Sequence, residues 1–250
     1  MIFVALFVEL LVACDLGPSY EEVQKADTIE AYEAFLAADP ESIYKFACNK
    51  RLEELYFARG QQEGTRAAWE AYLTRFPEGG SRDTAERELA TAAFSEAAKA
   101  NTAEAFRQFL ADFPKTDKWL RARAEGRAAA MEYGKLELGT PKVDRVNMAE
   151  DPKGPLNGWG VAVEVANRGD KTLNYVALTM EFLGEDGHVL GSKDYPLTST
   201  HWTMPATELQ QTPMKPGETR TWLWTEGDDT APKEWKQAVN LTVTGLKVAP

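Results

Sequence analysis

The side chains best suited to nucleophilic attack, metal ligation or proton transfer near neutral pH are Cys14, Cys48, His188 and His201. Their spacing builds no catalytic set. The two histidines border a hairpin turn and a loop, 13 residues apart, with no Cys or carboxylate at metal-ligand spacing. The chain contains no His-Glu-x-x-His, no Gly-x-Ser-x-Gly, no Walker glycine loop and no Gly-x-Gly-x-x-Gly. Glu185-Asp186 and Asp228-Asp229 read as solvated turn residues rather than calcium ligands. Cys48 shares its position in an internal repeat with Ala85 and Ala122, so it reads as a small core hydrophobe. The expectation is a chain that is not an enzyme, with no metal and no cofactor.

Cys14 stands apart. Residues 1–13 are apolar except for Glu9, too short to span a bilayer as a helix, and they fit the apolar core of a secretory signal. After Cys14 the composition changes abruptly to the polar, turn-prone Asp15-Leu16-Gly17-Pro18-Ser19. Leu11-Val12-Ala13-Cys14 resembles the lipobox of bacterial lipoproteins. That resemblance implies cleavage before Cys14, whose thiol takes up diacylglycerol and whose new α-amine is acylated. Chains acylated more than once hold a membrane stably. Asp15 resembles the inner-membrane retention signal of some bacteria, which favours the inner membrane over the outer or the extracellular side. With Cys14 acylated, Cys48 has no disulfide partner.

The elements behind these residues repeat. Asp27, Gly64 and Asn101 open three segments spaced 37 residues apart, and Pro40, Pro77 and Pro114 close them. The opening residues fit helix N-caps, with Glu30 and Glu104 placed for capping boxes. Apolar columns Ala31/Ala68/Ala105, Tyr32/Trp69/Phe106, Phe35/Tyr72/Phe109 and Leu36/Leu73/Leu110 form one helical stripe. A second helix follows each proline, with columns Cys48/Ala85/Ala122, Leu52/Leu89, Leu55/Ala92/Ala129 and Phe57/Phe94/Met131. Tyr20, 37 residues before Phe57, starts the tail of a truncated copy, and Gly134 fits a C-terminal cap. Helix pairs of this kind bury their stripes by stacking, so the pattern predicts an α-solenoid. Ala31-x3-Phe35…Pro40, Ala68-x3-Tyr72…Pro77 and Ala105-x3-Phe109…Pro114 resemble degenerate tetratricopeptide-like repeats of bacterial envelope lipoproteins.

Beyond Gly134 the period changes to two. Alternating runs cover 143–148, 159–167, 176–182, 188–190, 219–226 and 239–248, with turns at 167–170, 184–187 and 216–218 and a bulge expected at Gly245. This predicts an antiparallel sandwich of immunoglobulin-like build. Phe182…Asp186-Gly187 and Lys215-Pro216-Gly217-Glu218 resemble the FxLYD type of bacterial sandwich domain, which implies an interaction or spacer module. Trp222 and Trp224 share one face and read as core, whereas Trp202, in a long loop at 198–213, is expected at the surface.

The predicted fold is therefore multidomain α + β. It comprises a signal peptide at 1–13, a lipidated tether at 14–19, helical repeats at 20–134, a linker at 135–141 and a β-sandwich at 142–250. Net charge is −11, with the acidic excess spread over both halves. No basic stripe offers itself to nucleic acid or to anionic lipid. The expected function is a lipid-anchored scaffold of the bacterial cell envelope, facing the periplasm or the exterior, that binds a protein partner. Glu33, Arg66, Glu70, Arg107, Gln108 and Trp202 are the expected contacts. A second reading is cell-wall glycan, peptidoglycan, bound through aromatics of the β-sandwich, with Trp202 as the expected contact.

Overall fold

A computed structural model describes residues 17–148, 153–199 and 208–250. The first half is helical: α1 (Tyr20–Ala26), α2 (Ile29–Ala38), α3 (Lys45–Glu63), α4 (Arg66–Arg75), α5 (Arg82–Ala100), α6 (Ala103–Asp112) and α7 (Lys118–Tyr133). The 37-residue spacing is visible as geometry at the junctions. Thr28, Thr65 and Thr102 are the N-caps, each hydroxyl accepting from the amide three residues on, at 3.2, 3.3 and 3.1 Å. The expected caps lie one residue too early. Asp27, Gly64 and Asn101 instead take positive φ, at 49°, 60° and 49°, and end the preceding helices. Asp, Asn and Gly serve both at N-caps and in left-handed backbone, so residue type alone did not separate the roles. Glu30 and Glu104 thus miss the capping-box position. The box that does form joins Ser19 and Glu22.

Helices α2, α4 and α6 stop at Asp39, Phe76 and Phe113, each pushed out of helical backbone by the proline after it. Their stripes are buried as expected. Tyr32 and Phe35 join Val23, Cys48 and Leu52 in one cluster, and Trp69 and Tyr72 join Ala85 and Ala92 in another. Trp69 lies so close to Gly60 that a Cβ there would meet the ring at 2.6 Å.

Seven antiparallel strands and a short helix follow: β1 (Leu136–Leu138), β2 (Lys142–Val146), β3 (Gly158–Asn167), β4 (Leu173–Leu183), β5 (Val189–Ser199), α8 (Glu208–Gln211), β6 (Thr219–Gly227) and β7 (Ala238–Val248). One sheet has β3 at its centre, with β6 on one side and β1 and β2 end to end on the other. The second runs β5-β4-β7. Val161, Val163, Val165 and Trp222 of the first sheet share a core with Leu178, Met180, Phe182, Leu197 and Leu246 of the second. Residues 135–141 are not a bare linker, because β1 pairs there with the end of β3. Three residues are too few for alternation to be readable. Strand β5 extends past Pro196 to Ser199, taking up the start of the expected 198–213 loop. A proline is tolerated on this edge strand of the sheet.

The chain divides into two compact units, one ending at Ala92 and the other beginning at Ala93, inside α5. The second unit therefore contains α6 and α7 together with all the strands. Within it, Ala124 and Ala128 of α7 bury against Phe94, Phe106 and Phe109, while Ala129, Ala130 and Tyr133 reach the core of the sheets. Ala122, expected where helices touch, is exposed. The face of α7 that packs on the sheet is turned away from it.

Two buried polar residues tie the second unit's loops together. Asn167, fully buried, accepts from Tyr133 Oη at 2.6 Å and the Gly169 amide at 3.1 Å, and donates to the carbonyls of Lys171 and Lys215. Arg220, also buried, donates to Glu218 and to the carbonyls of Leu209, Thr212 and Pro213. Asn167→Ala should cost about 3 kcal/mol in urea unfolding, because it strands several buried groups, whereas Tyr133→Phe should cost about 1 kcal/mol. Arg220→Met should cost about 3 kcal/mol by removing four hydrogen bonds, although the Thr212 and Leu209 carbonyls keep a second donor each and Glu218 keeps the Lys215 amide.

The pH dependence of the Arg220–Glu218 pair has a fixed sign. The hydrogen bond from Arg220 holds Glu218 below its ordinary value near 4.5. The pair's contribution is complete above that value and is lost as pH falls through the lowered one. Urea midpoints measured down to pH 3 should therefore fall less steeply below about pH 4.5 in Glu218→Gln than in the parent chain.

Candidate functional site

The site builds from a close approach. Gly126 in the middle of α7 faces Gly245 of β7, and a Cβ on Gly126 would stand 3.0 Å from the Gly245 Cα. A Cβ on Gly245 would in turn meet Tyr175 at 2.6 Å and Ala177 at 3.1 Å. Strand β7 carries an extra residue here, since Ala177 pairs with Gly245 and Leu178 with Val243, so the expected bulge is present at Thr244. The bulge bends β7 locally and leaves the Thr244 hydroxyl 2.9 Å from that of Thr179, which donates its own hydrogen to Asp194.

Beyond this contact the first turns of α7 and the outer face of the β5-β4-β7 sheet enclose a groove of about 530 Å³. Trp119, Ala122 and Arg123 line the helix wall, and Tyr175, Ala177, Asp194, Lys247 and Val248 line the sheet wall. Trp119 is 73% exposed, an unusual setting for so large an apolar ring. Lys118 lies over it at 5.5 Å. Burial, reinforced by the charge of Asp194, raises the Tyr175 phenol above its ordinary value, so it remains a neutral donor.

Arg123 approaches Asp194 at 3.6 Å, while Lys247 has no ion-pair partner among the described residues. The charged side chains of the lining are thus Arg123, Lys247 and Asp194. One turn further along α7, Arg127 lies over Phe94 and Phe106 at 5.9 and 5.7 Å. Its Nε is buried with no partner among the described residues, and desolvation lowers its pKa. The groove offers apolar surface, a phenol donor and two cationic side chains.

The contacts expected from the sequence lie elsewhere. In the first unit, Glu33 accepts from Tyr56 Oη at 2.7 Å and lies 3.5 Å from Arg75, while Arg66 pairs with Glu70 at 2.8 Å. In the second unit, Arg107 grips Glu132 with two bonds of 2.8 and 2.6 Å, and Gln108 donates to Asp112 at 2.7 Å. All five stitch helices or successive helical turns, and none lines the groove. Cys14, Trp202 and His201 lie outside the described residues. His188 pairs with Asp186 of its own turn, and Asp228 is held by Arg145. Among the described residues, no three His, Cys, Asp or Glu side chains are grouped to hold a metal.

Trp222 and Trp235 are core residues, and Trp159 and Trp224 pack against that core. Cys48 is fully buried, and desolvation raises its thiol. The residues that sequence reasoning missed are Trp119, Arg123, Tyr175 and Lys247. One signal pointed to them: Gly126 stands where the earlier copies have Leu52 and Leu89.

Restoring that leucine is a test. Gly126→Leu should destabilise by about 2 kcal/mol in spite of better helix propensity, because its side chain has only backbone to push against. Ala122→Leu, on the exposed flank, should stay within about 0.5 kcal/mol of the parent chain in urea while narrowing the groove.

No family model and no curated protein matches this sequence. The chain is similar to a solved structural-genomics target of the Northeast Structural Genomics Consortium at 7% identity and TM-score 0.24, over 46% of this chain and 86% of the other. It is also similar to Pseudomonas fluorescens alkylpurine DNA glycosylase AlkC, bound to DNA containing an abasic site analog. That likeness has 13% identity and TM-score 0.29, over 92% of this chain and 52% of the other. Likeness at these values assigns neither a family nor an activity.

Proposed function

We propose that this protein is a non-catalytic, lipid-anchored scaffold of the bacterial cell envelope, and that the groove beside α7 receives an extended peptide segment of a protein partner. The groove carries the reading. It sets an exposed indole and a partly buried phenol around an apolar floor, with the cationic side chains of Arg123 and Lys247 in its lining. An apolar side chain of the partner fits between Trp119 and Tyr175, and an acidic neighbour faces Lys247. Hot spots of protein interfaces have this composition: aromatic anchors in a pocket, with charge at the rim.

On this reading the helix pairs are tetratricopeptide-like solenoid repeats, supported by three identically capped copies at one spacing. The strands are an immunoglobulin-like sandwich, supported by two antiparallel sheets that share one core. Anchorage rests on the apolar residues 1–13 and on Cys14, acylated and facing the periplasm or the exterior. No helix among the described residues is long and apolar enough to cross a membrane.

Two measurements test the proposal. A random peptide library selected on the full chain should enrich an aromatic or aliphatic residue beside Asp or Glu. Trp119→Ala should lose those binders by about tenfold or more, and Lys247→Glu should remove the acidic preference. A library with no enrichment, or enrichment indifferent to Trp119, refutes the groove assignment. Mass spectrometry of protein from its own host should find a mature chain that starts at an acylated Cys14. An uncleaved, unmodified N-terminus refutes the anchor.

A further inference from the structure

The turn between α2 and α3 and the first turn of α3 carry large apolar side chains that the second copy of the repeat lacks. Ile43 is 88% exposed, Phe46 83% and Tyr44 42%. The corresponding positions of the second copy are Gly80, Asp83 and Ser81, all small or polar. The helix-pair fold therefore forms without this apolar cluster. Nor does Tyr44 act as a cap through its side chain, although it occupies the N-cap position of α3.

The place where the chain enters the fold is fixed beside this turn by two contacts. Gly17 is pressed against α2 near its end, where a Cβ would meet the Ala38 Cβ at 2.6 Å. Tyr20 stacks on Tyr44, with ring centroids 4.0 Å apart and planes 6° from parallel. Three residues before Gly17 stands Cys14, and before it the apolar run 1–13. Three residues of chain reach at most about 11 Å. Acyl chains carried on Cys14, or the apolar run where it is retained, would therefore begin within that reach of Gly17.

We infer that Ile43, Tyr44 and Phe46 form a membrane-contact surface that lies in the headgroup region of the bilayer beside the N-terminal anchor. The patch has the matching chemistry. Ile43 and Phe46 present apolar surface, and Tyr44 is a residue suited to the membrane–water interface. The charges flanking the patch along the chain, Asp39 and Glu41 against Lys45 and Lys50, cancel. The contact is therefore apolar and suits zwitterionic lipid, unlike the electrostatic attachment that the chain's acidity disfavours. A second contact beside the anchor would also fix the first unit's orientation to the membrane, which a flexible tether alone leaves free. The inference shares with the proposed function the premise that the N-terminus is held at a bilayer.

The test uses the full chain from its own host with Ser42→Cys, labelled with an environment-sensitive dye. Cys48 is buried, so labelling of one thiol per chain reports a blocked Cys14 and labelling of two reports a free one. Flotation with phosphatidylcholine vesicles reads the anchor, and quenching of the dye by brominated phosphatidylcholine reads the patch. The expected result is quenching that Ile43→Ser/Phe46→Ser abolishes while flotation persists and that raised salt leaves unchanged.

In the Cys14→Ser chain the same double substitution should weaken vesicle partition by about tenfold or more. A floating protein whose dye is not quenched overturns the inference and leaves the anchor standing. So does a dye that reports burial without lipid and in proportion to protein concentration, which would mark a contact with a second copy. If the chain does not float, the anchor reading fails. The patch is then decided by quenching at high lipid concentration, which supports it if present and overturns it if absent.

Discussion

Helix α7 has to bury two faces at once, and the second unit is arranged around that requirement. Ala124 and Ala128 are fully buried against the phenylalanines of α5 and α6, while Gly126, Ala129, Ala130 and Tyr133 serve the sheets. A helix enclosed this way cannot carry bulk on either side. Glycine in a helix interior costs about 1 kcal/mol relative to alanine. The close approach it permits, backbone to backbone at Gly245, offsets that cost through dispersion contacts that a longer side chain would prevent. Tyr133 then fixes the far end of the helix by donating to Asn167, which also holds the turns on either side of it.

The groove follows from the same constraint. A helix that touches the sheet at Gly126 and at Tyr133 leaves a gap at its other end, since helix and sheet diverge beyond the close contact. Small residues at Ala122 and Ala177 keep that gap open, and Trp119 at the rim gives it an aromatic edge. The polar residues on the first helices of the repeats play another part. Their partners, Tyr56 for Glu33 and Glu132 for Arg107, sit on the neighbouring helix, so these side chains link the two members of a pair.

Much of this was legible in the sequence, and the misses have physical causes. Periodicity gave the helix stripes, the strand faces and the buried role of Trp222, because burial imposes a regular spacing. The helix caps were misplaced by one residue because Asp, Asn and Gly suit either side of a helix junction, and the threonines beside them are the true caps. Strand β1 escaped because three residues show no alternation, and β5 was cut short at Leu190 because Gly191-Ser192-Lys193-Asp194 carries no alternating apolar residue. The groove was hidden for a different reason. Its walls come from residues near 120, 175, 194 and 247, and no local pattern joins positions so far apart. Only the loss of leucine at Gly126 marked the spot, as a break in a column whose regularity was otherwise being read as architecture.

The junctions Asp27-Thr28, Gly64-Thr65 and Asn101-Thr102 carry a consequence for how such a chain can change length. One left-handed residue and one cap connect each helix to the next, with no slack between them. An inserted residue there would separate the left-handed residue from the cap and displace the close fit of the two helices. Growth or loss by single residues is therefore costly at these points. Whole copies can be gained by tandem duplication, and the proline-bounded turns at the opposite ends of the helices are where odd lengths can be absorbed.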